Sequence, residues 1–199
     1  MGIETAKTGS LLYHLTELDN LDSIIKYGML PRKTVLEQNI KFENVANMEI
    51  ISKRKQLNLD KYIPFHFHPY SAFDVAVKHT YYRHDMIYMC ITRELAQFYD
   101  YKILPKHPLS MDECKLYNYD EGFNRIDWDT MMEKNRTDEY AKHVKMAECL
   151  TEESIPIEYF KCIYVQSEEV KERILNILNK NGTNFPPPYI NVQSYWFLE

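Results

Sequence analysis

The chain has 199 residues, of which 45% are hydrophobic and 27% charged, a balance typical of one folded globular domain spanning residues 1–199. Its formal net charge of −5 excludes a nucleic-acid coat protein that relies on broad positive charge, but is compatible with a local basic groove. With only 5 glycines the chain has no GxGxxG or P-loop sequence, so a Gly-rich dinucleotide or phosphate loop is also excluded.

The first predicted elements are a short strand over Leu11–Leu15 and an amphipathic helix over Leu21–Tyr27. Gly28 stands at the expected C-terminal stop of that helix. Residues 31–60 lack strong periodicity, apart from a short helix near Met48–Lys55. This stretch therefore predicts a long functional loop or lid.

A strand is predicted next, over Tyr62–Pro69. Phe65 and Phe67 share one of its faces, and His66 and His68 share the other. The prolines in this stretch indicate a short strand or one at a sheet edge. The two histidines have no third ligand at a suitable spacing, so they predict solvent-facing side chains rather than a metal site.

The rest of the chain mixes strands and helices without a regular βαβ alternation, which predicts an α+β fold. The further predicted helices are Ser71–Lys78, Ile126–Lys134, Glu139–Ala147 and a capped helix that follows Ser167 and ends at Asn181–Gly182. The further predicted strands are a central one at Met86–Thr92, weaker ones at Lys102–Leu104 and Leu116–Tyr119, a buried one at Lys161–Gln166, and a last one within Tyr189–Phe197.

The chain's cellular compartment is indicated by its cysteines and its apolar runs. Cys90, Cys114, Cys149 and Cys162 are widely spaced and form no CxxC pair. No apolar run approaches the roughly 18 residues of a membrane span, and residues 11–15 are too few for a signal peptide. We therefore expect a cytoplasmic protein with reduced, buried cysteines and no membrane partner.

Glu148 is the first candidate for chemistry, because it follows a helical pattern and enters an apolar run. A carboxylate in such surroundings is partly desolvated, so it is either paired or functional, and the pattern alone favours a paired or capping role. Arg54 lies between Lys53 and Lys55, where it forms either a solvated basic turn or a forked contact with phosphate. His14, inside the first strand, is either a satisfied buried histidine or a hydrogen-bond partner of a ribose hydroxyl.

The densest interleaving of basic and aromatic residues runs from Lys78 through Tyr81 and Tyr82 to Arg83. Cations for phosphates and rings for bases are what a surface for single-stranded nucleic acid needs. The alternative is an exposed turn between a helix and a strand. No GxSxG or Cys–His motif is visible, so a hydrolase of those types has no support.

Several short motifs follow one another in order from about residue 11 to the C-terminus. They are YHLT at 13–16 with Asn20, Leu21 and Gly28; Lys53–Arg54; the aromatic strand at 62–71; DWD at 127–129; MAE at 146–148; YVQSEEV at 164–170; and SYWF at 194–197. In this order and spacing they resemble the DarT family of DNA ADP-ribosyltransferase toxins, which pair with a macrodomain antitoxin.

The resemblance implies an ADP-ribosyltransferase core, in which a split mixed or antiparallel β-sheet with peripheral helices grips NAD⁺ as co-substrate without a metal. The implied activity is transfer of ADP-ribose to a thymine or guanine of single-stranded DNA. Such a toxin blocks replication in a bacterial toxin–antitoxin or phage-defence system.

The resemblance also implies roles for individual residues. Glu148 matches the catalytic glutamate, and Arg54 matches the arginine that holds the diphosphate. The other expected NAD⁺ contacts are His14, Thr16, Asn20 and the cleft-wall residues Phe65 and Phe67. For the acceptor strand we expect contacts from Lys53, Lys55, Lys78, Tyr81, Tyr82 and Arg83. We also expect contacts from His107, which falls near a histidine that the family often places ahead of the helix before the glutamate, and from Lys145, where the family commonly has arginine.

Three alternatives stay open. The same fold could act on RNA or protein, the chain could be a non-catalytic NAD⁺-binding interaction module, or it could simply hydrolyse NAD⁺.

Overall fold

The computed structural model describes residues 2–46, 48–69, 71–108, 115–183 and 188–197. Its strands are β1 Leu11–Glu17, β2 Ile63–His66, β3 Met86–Thr92, β4 Lys102–Leu104, β5 Glu148–Thr151, β6 Cys162–Val165 and β7 Tyr189–Val192. Its α-helices are α1 Leu21–Tyr27, α2 Arg32–Glu37, α3 Met48–Gln56, α4 Ala72–Thr80, α5 Arg93–Phe98, α6 Tyr119–Arg125, α7 Trp128–Met132, α8 Glu139–Lys145 and α9 Glu168–Lys180.

The strands form one mixed sheet in the order β4-β5-β2-β1-β3-β6-β7. The neighbours pair antiparallel, except for β6 and β7, which run parallel. The junction between β1 and β2 is narrow, because it holds the single register pair Tyr13–His66. The sheet therefore divides at this junction into two parts, and the predicted α+β class with a mixed, split sheet is confirmed.

Both faces of the sheet are covered, and β3 shows the consequence most clearly. Ile87, Met89 and Ile91 point into the larger core, while Tyr88 and Cys90 point into a second core that also holds Trp196. A strand buried on both faces has no need of alternating polar residues. This explains why Met86–Thr92 is a continuous apolar run, and the predicted central strand is confirmed.

Two predictions about the N-terminal half were partly right. The short helix near Met48–Lys55 is confirmed as α3, but the residues before it are not all irregular, since they include α2. β2 is short, which is one of the two predicted options, and it lies inside the sheet between β5 and β1 rather than at an edge. Pro64 is tolerated there because its carbonyl faces the gap beside β1, where it accepts a hydrogen bond from His14. The N–H that proline lacks would face the same gap, so no ladder hydrogen bond is lost.

Further along the chain, the strand that begins at Glu148 was missed. The predicted helix Glu139–Ala147 ends at Lys145, and the apolar run that Glu148 enters is strand β5. Residues 116–119 contribute only an isolated bridge at Tyr117, and Tyr119 already begins α6. Both β4 and β5 have no more than four residues, so periodicity alone indicates them weakly.

Gly28 closes α1 and also brings the chain that leads into the 31–60 segment against the loop that follows β5. Its backbone has φ 77° and ψ 168°, a region that is open essentially to glycine alone. A Cβ there would lie 3.0 Å from the carbonyl oxygen of Ile155. This close approach lets the adjacent Met29 pair with Ile155, so the predicted helix stop is confirmed and has a tertiary role as well.

Candidate active site

Glu148 lies at the first position of β5, facing His66 of β2 and Leu104 of β4 in the register. Its side chain is only 4% exposed. Arg54, in the last turn of α3, places Nη1 at 2.8 Å from both carboxylate oxygens. The sequence had suggested either a paired or a functional carboxylate, and the structure shows that this one is paired.

The pairing determines the charge of Glu148. Burial alone would raise the pKa of this carboxyl, but the nearby Arg54, His66 and His107 outweigh that effect, and the pKa is lowered from its ordinary value. Glu148 is therefore an anion at neutral pH, held in a site that is shielded from water.

Two histidines that line the same cavity, His107 and His14, stay neutral at neutral pH because their pKa values are lowered. Burial lowers the pKa of His107 to about 4, although the negative charge of Glu148 partly opposes this. Burial also lowers the pKa of His14. Nδ1 of His14 lies 2.7 Å from the carbonyl oxygen of Pro64, which can only accept, so Nδ1 carries the proton. Nε2 of His14 is then left as a hydrogen-bond acceptor.

A cavity of about 210 Å³ lies beside the junction of β1 and β2. Five of the residues predicted to act on NAD⁺ line it together with His107; these five are His14, Thr16, Asn20, Arg54 and Glu148. Much of the opposite wall comes from the 31–60 segment, including Arg32, Val35, Ile40, Phe42, Glu43, Val45 and Ile51. The segment thus covers the cavity, as a lid would.

Asn20 connects the lid to the first strand. Its Nδ2 donates to Thr16 Oγ1 and to the carbonyl of Glu43, and its Oδ1 accepts from the backbone N–H of Glu43 at 2.7 Å. These contacts use both N–H donors of the amide and one lone pair of its oxygen. Asn20 lines the cavity, but its hydrogen bonds hold the backbone of Glu43 in place.

The expectation that Phe65 and Phe67 wall the cleft was wrong. Both side chains lie in the larger hydrophobic core, and neither lines the cavity. Ile63, Pro64 and His66 form the part of the wall that comes from this strand. Phe65 acts indirectly, since its ring lies 5.6 Å from the ring of His14 and supports it from beneath.

The two histidines of the same strand were also misjudged, because neither is solvent-facing. His66 is 7% exposed and lines the cavity, and His68 is 2% exposed with its ring between the carbonyls of Pro69 and Lys145. Alternation along the strand had separated them correctly from the phenylalanines. It could not reveal that the second face is covered as well.

A second cavity, of about 330 Å³, shares walls with the first. The shared residues are Val45, Ile50, Phe73, His107 and Met146, and the second cavity alone is lined by Ala72, Ala76, Val77, Thr80, Tyr81, Lys142 and His143. The rings of His107 and His143 stack at 6.3 Å within it. Sequence reasoning missed Phe73, Lys142 and His143 because they belong to no motif.

The basic–aromatic run around α4 divides in the structure. Tyr81 lines the second cavity, while Tyr82 and Arg83 are exposed, with the guanidinium of Arg83 5.2 Å from the Tyr82 ring. Lys78 departs from the prediction, since its ammonium donates to the carbonyl of Trp196. Tyr82 and Arg83 therefore remain for an exposed nucleic-acid surface, and Lys78 does not.

The other lysines predicted to contact the acceptor strand, Lys53, Lys55 and Lys145, line neither cavity. Lys55 is exposed and Lys53 partly so, on the last turn of α3. Lys145 is occupied elsewhere, because its ammonium donates to the backbone carbonyls of Glu133 and Arg136. It fastens the loop before α8 rather than facing the cavity.

The predicted burial of the cysteines is confirmed where the structure describes them. Cys90, Cys149 and Cys162 are buried and free, while Cys114 lies outside the described residues. Within the described ranges no three His, Cys, Asp or Glu side chains are placed to hold a metal ion. Within those same ranges no helix has the length and apolar character to cross a bilayer.

Comparison with known proteins agrees with this geometry. Residues 13–198 match the family model described as "ssDNA thymidine ADP-ribosyltransferase, DarT". A DNA ADP-ribosyl transferase–DNA ADP-ribosyl glycohydrolase fusion protein of Thermosipho africanus is 24% identical over 200 residues, covering 94% of this chain and 49% of the fusion. The chain thus spans about half the length of that curated relative.

Solved structures show the same fold. Thermus sp. 2.9 DarT in complex with ADP-ribosylated single-stranded DNA superposes with a TM-score of 0.81 at 19% identity, covering 95% of this chain and 96% of that one. The NAD⁺ complex of the same protein gives a TM-score of 0.76 at 19% identity, with 95% and 98% covered.

Proposed function

Because the chain belongs to the family of single-stranded-DNA thymidine ADP-ribosyltransferases, DarT, we propose that it transfers ADP-ribose from NAD⁺ to a thymine of single-stranded DNA. The observation that carries the proposal is the ionised, buried Glu148 at the wall of a cavity also lined by Arg54 and His14. A carboxylate kept dry and negative is suited to stabilise positive charge that develops on a sugar.

The chemistry follows from that charge. When the bond between nicotinamide and the ribose breaks, nicotinamide leaves with the bonding electrons and the sugar acquires oxocarbenium character. Glu148 lies ready to stabilise this cation, and a ring nitrogen of the acceptor base then forms the new bond to the sugar carbon. The proton lost by that nitrogen passes to Glu148 or to water. His14 supports the donor, because its Nε2 can accept a hydrogen bond from a ribose hydroxyl.

The second cavity is suited to the acceptor base. It meets the first cavity at Phe73 and His107, so a base seated there would lie next to the donor sugar. Its outer parts carry Lys142 and Tyr81, which offer a cation for phosphate and a ring for stacking. A single strand can present a base there without the unstacking energy that a duplex would require.

We further propose a partner and a setting. The relative from Thermosipho africanus joins a DNA ADP-ribosyl transferase to a DNA ADP-ribosyl glycohydrolase in one chain. For this chain, in which residues 1–199 form one transferase domain, the corresponding partner is a macrodomain antitoxin that removes the ADP-ribose. The pair would act in the cytoplasm as a toxin–antitoxin system.

The test is mass spectrometry of short DNA oligonucleotides incubated with the protein and NAD⁺. We expect one added ADP-ribose on an oligonucleotide with a single thymine, and none on its thymine-free counterpart. Glu148→Gln should lower the rate by about 100-fold or more, as expected for loss of a transition-state stabiliser. Glu152→Gln is the matched control, because Glu152 is an exposed carboxylate paired with Lys61 outside the cavity.

The other outcomes separate the alternatives. Transfer to guanine, to RNA or to protein would retain the fold and change the acceptor. Free ADP-ribose formed without DNA would indicate an NAD⁺ hydrolase. Binding of NAD⁺ with no turnover under any condition would indicate a non-catalytic module.

A further inference from the structure

Arg32 is a second arginine at the cavity, and no motif singled it out. It opens α2 directly after Pro31 and lines the cavity that holds Glu148. Its Nε is shielded from solvent, yet has no hydrogen-bond partner. Among the described residues no carboxylate lies within 4.0 Å of its guanidinium. A buried donor left unpaired is costly, which indicates a group that a ligand satisfies.

Arg54, which the sequence had assigned to the diphosphate, is already occupied. Its Nη1 serves both oxygens of Glu148, and its Nη2 reaches the carbonyl of Leu59. Among the described residues that line the cavity there are two arginines, Arg32 and Arg54, and no lysine. The positive charge not already neutralised by a carboxylate therefore belongs to Arg32.

Hydrogen bonds to two consecutive residues, Leu59 and Asp60, fix the positions of the two arginines relative to each other. Arg54 donates to the carbonyl of Leu59, and the backbone N–H of Lys33, next to Arg32, donates 3.0 Å to the carbonyl of Asp60. The start of α2 and the end of α3 are thus both fixed to residues 59–60. This arrangement places two arginines at one cavity, where Arg54 is paired with a carboxylate of the protein and the Nε of Arg32 has no hydrogen-bond partner.

We infer that Arg32 binds the diphosphate of NAD⁺, while Arg54 holds the catalytic carboxylate. The inference rests on the proposed function, since it names how the donor is held in the same site. A guanidinium matches phosphate oxygens with forked, charge-assisted hydrogen bonds, which suits the unpaired Nε of Arg32.

The experiment measures the affinities of NAD⁺, ADP-ribose and adenosine by calorimetry, with competition against NAD⁺ for weak ligands. The variant is Arg32→Met, which keeps length and removes the donors. The control is Lys33→Met, because Lys33 is a neighbouring exposed cation, paired with Glu37 and outside the cavity. Arg32→Met should weaken NAD⁺ and ADP-ribose by about ten-fold or more and leave adenosine within about two-fold, because adenosine has no phosphate.

A stability measurement separates ligand binding from a structural role. Without ligand, Arg32→Met should unfold at the same temperature as the parent protein or higher, since an unpaired buried donor has been removed. Added NAD⁺ should then stabilise it less than it stabilises the parent. Parental affinity for NAD⁺ in Arg32→Met would overturn the inference, as would an equal loss for adenosine.

A further comparison distinguishes this inference from the proposed function. If the parent protein binds no NAD⁺, the proposed function fails and the inference with it. If the parent binds NAD⁺ and transfers ADP-ribose, but Arg54→Gln rather than Arg32→Met shows the phosphate-dependent loss, only the inference is overturned.

Discussion

At the scale of single residues, the pair of Glu148 and Arg54 combines function with stability. Glu148 is anionic inside the protein because Arg54 lies beside it and compensates for the lost hydration. A buried ion pair contributes little net stability, but the loss of one partner leaves the other as an uncompensated buried charge. The carboxylate that we propose acts in the reaction is therefore also a residue on which folding depends.

This coupling predicts a double-mutant cycle. Arg54→Met should lower the free energy of unfolding by about 3 kcal/mol, because Glu148 is left unpaired. Combining Glu148→Gln with Arg54→Met should cost clearly less than the sum of the single changes. Urea denaturation at neutral pH measures the cycle, and strictly additive effects would contradict a direct interaction between the two side chains.

At the scale of elements, the division of the sheet and the lid together create the site. β1 and β2 separate after one register pair, and the 31–60 segment covers the opening. Asn20 links the two, because it bonds both Thr16 on β1 and the backbone of Glu43 in the segment. The lid is thus held by an amide side chain and not by packing alone.

Asn20→Ala should loosen this part of the lid. The amide proton of Glu43 should exchange faster, since it loses its acceptor Asn20 Oδ1 and the Glu43 carbonyl loses its donor Asn20 Nδ2, which lowers the local opening energy by about 1–3 kcal/mol. NAD⁺ affinity should fall as well, because binding must then order the segment. Hydrogen-exchange mass spectrometry measures the first effect, with Asn124→Ala, an exposed asparagine on α6, as the control. Unchanged exchange at residue 43 would show that other contacts hold the lid.

At the scale of the whole molecule, the pKa values of several buried groups are shifted in the same direction, below their ordinary values. Burial lowers the pKa of His14, His68 and His107, and the pKa of Glu148 is lowered by its neighbours. Between its folded and unfolded pKa values, each group binds a proton more readily in the unfolded chain. Unfolding therefore becomes easier as the pH falls from about 6.5.

The protein should accordingly lose stability on mild acidification. His107, with a folded pKa of about 4, alone contributes a loss of about 2 kcal/mol between neutral pH and pH 5. His84 acts in the opposite sense, since pairing with the buried Glu17 raises its pKa and adds stability at low pH, but His84 itself is exposed, so solvent screens this contribution. Urea denaturation at both pH values tests this, and His84→Gln should deepen the loss. A protein equally stable at the two values would contradict it.

Local sequence patterns determined the elements whose signal lies within a short window. The apolar run of β3, the Ser167 cap of α9 and the glycine stop after α1 were all predicted, because hydrophobic periodicity and backbone preferences act between near neighbours. The sequence also determined Glu148 and Arg54 as candidates, through the order of motifs that the chain shares with its family.

Only the tertiary structure decided which side chains meet. Arg54 and Glu148 are 94 residues apart, and their pairing depends on the last turn of α3 lying beside the first residue of β5. The same long-range packing sent Phe65 and Phe67 into the core and His66 to the cavity, because the 31–60 segment covers a strand face that alternation alone marks as polar. The packing also leaves Arg32 Nε without a hydrogen-bond partner at the cavity, and a local sequence pattern cannot show whether a distant partner is present. Contacts between distant segments are set by how the whole chain packs, and that information is not contained in any single window of the sequence.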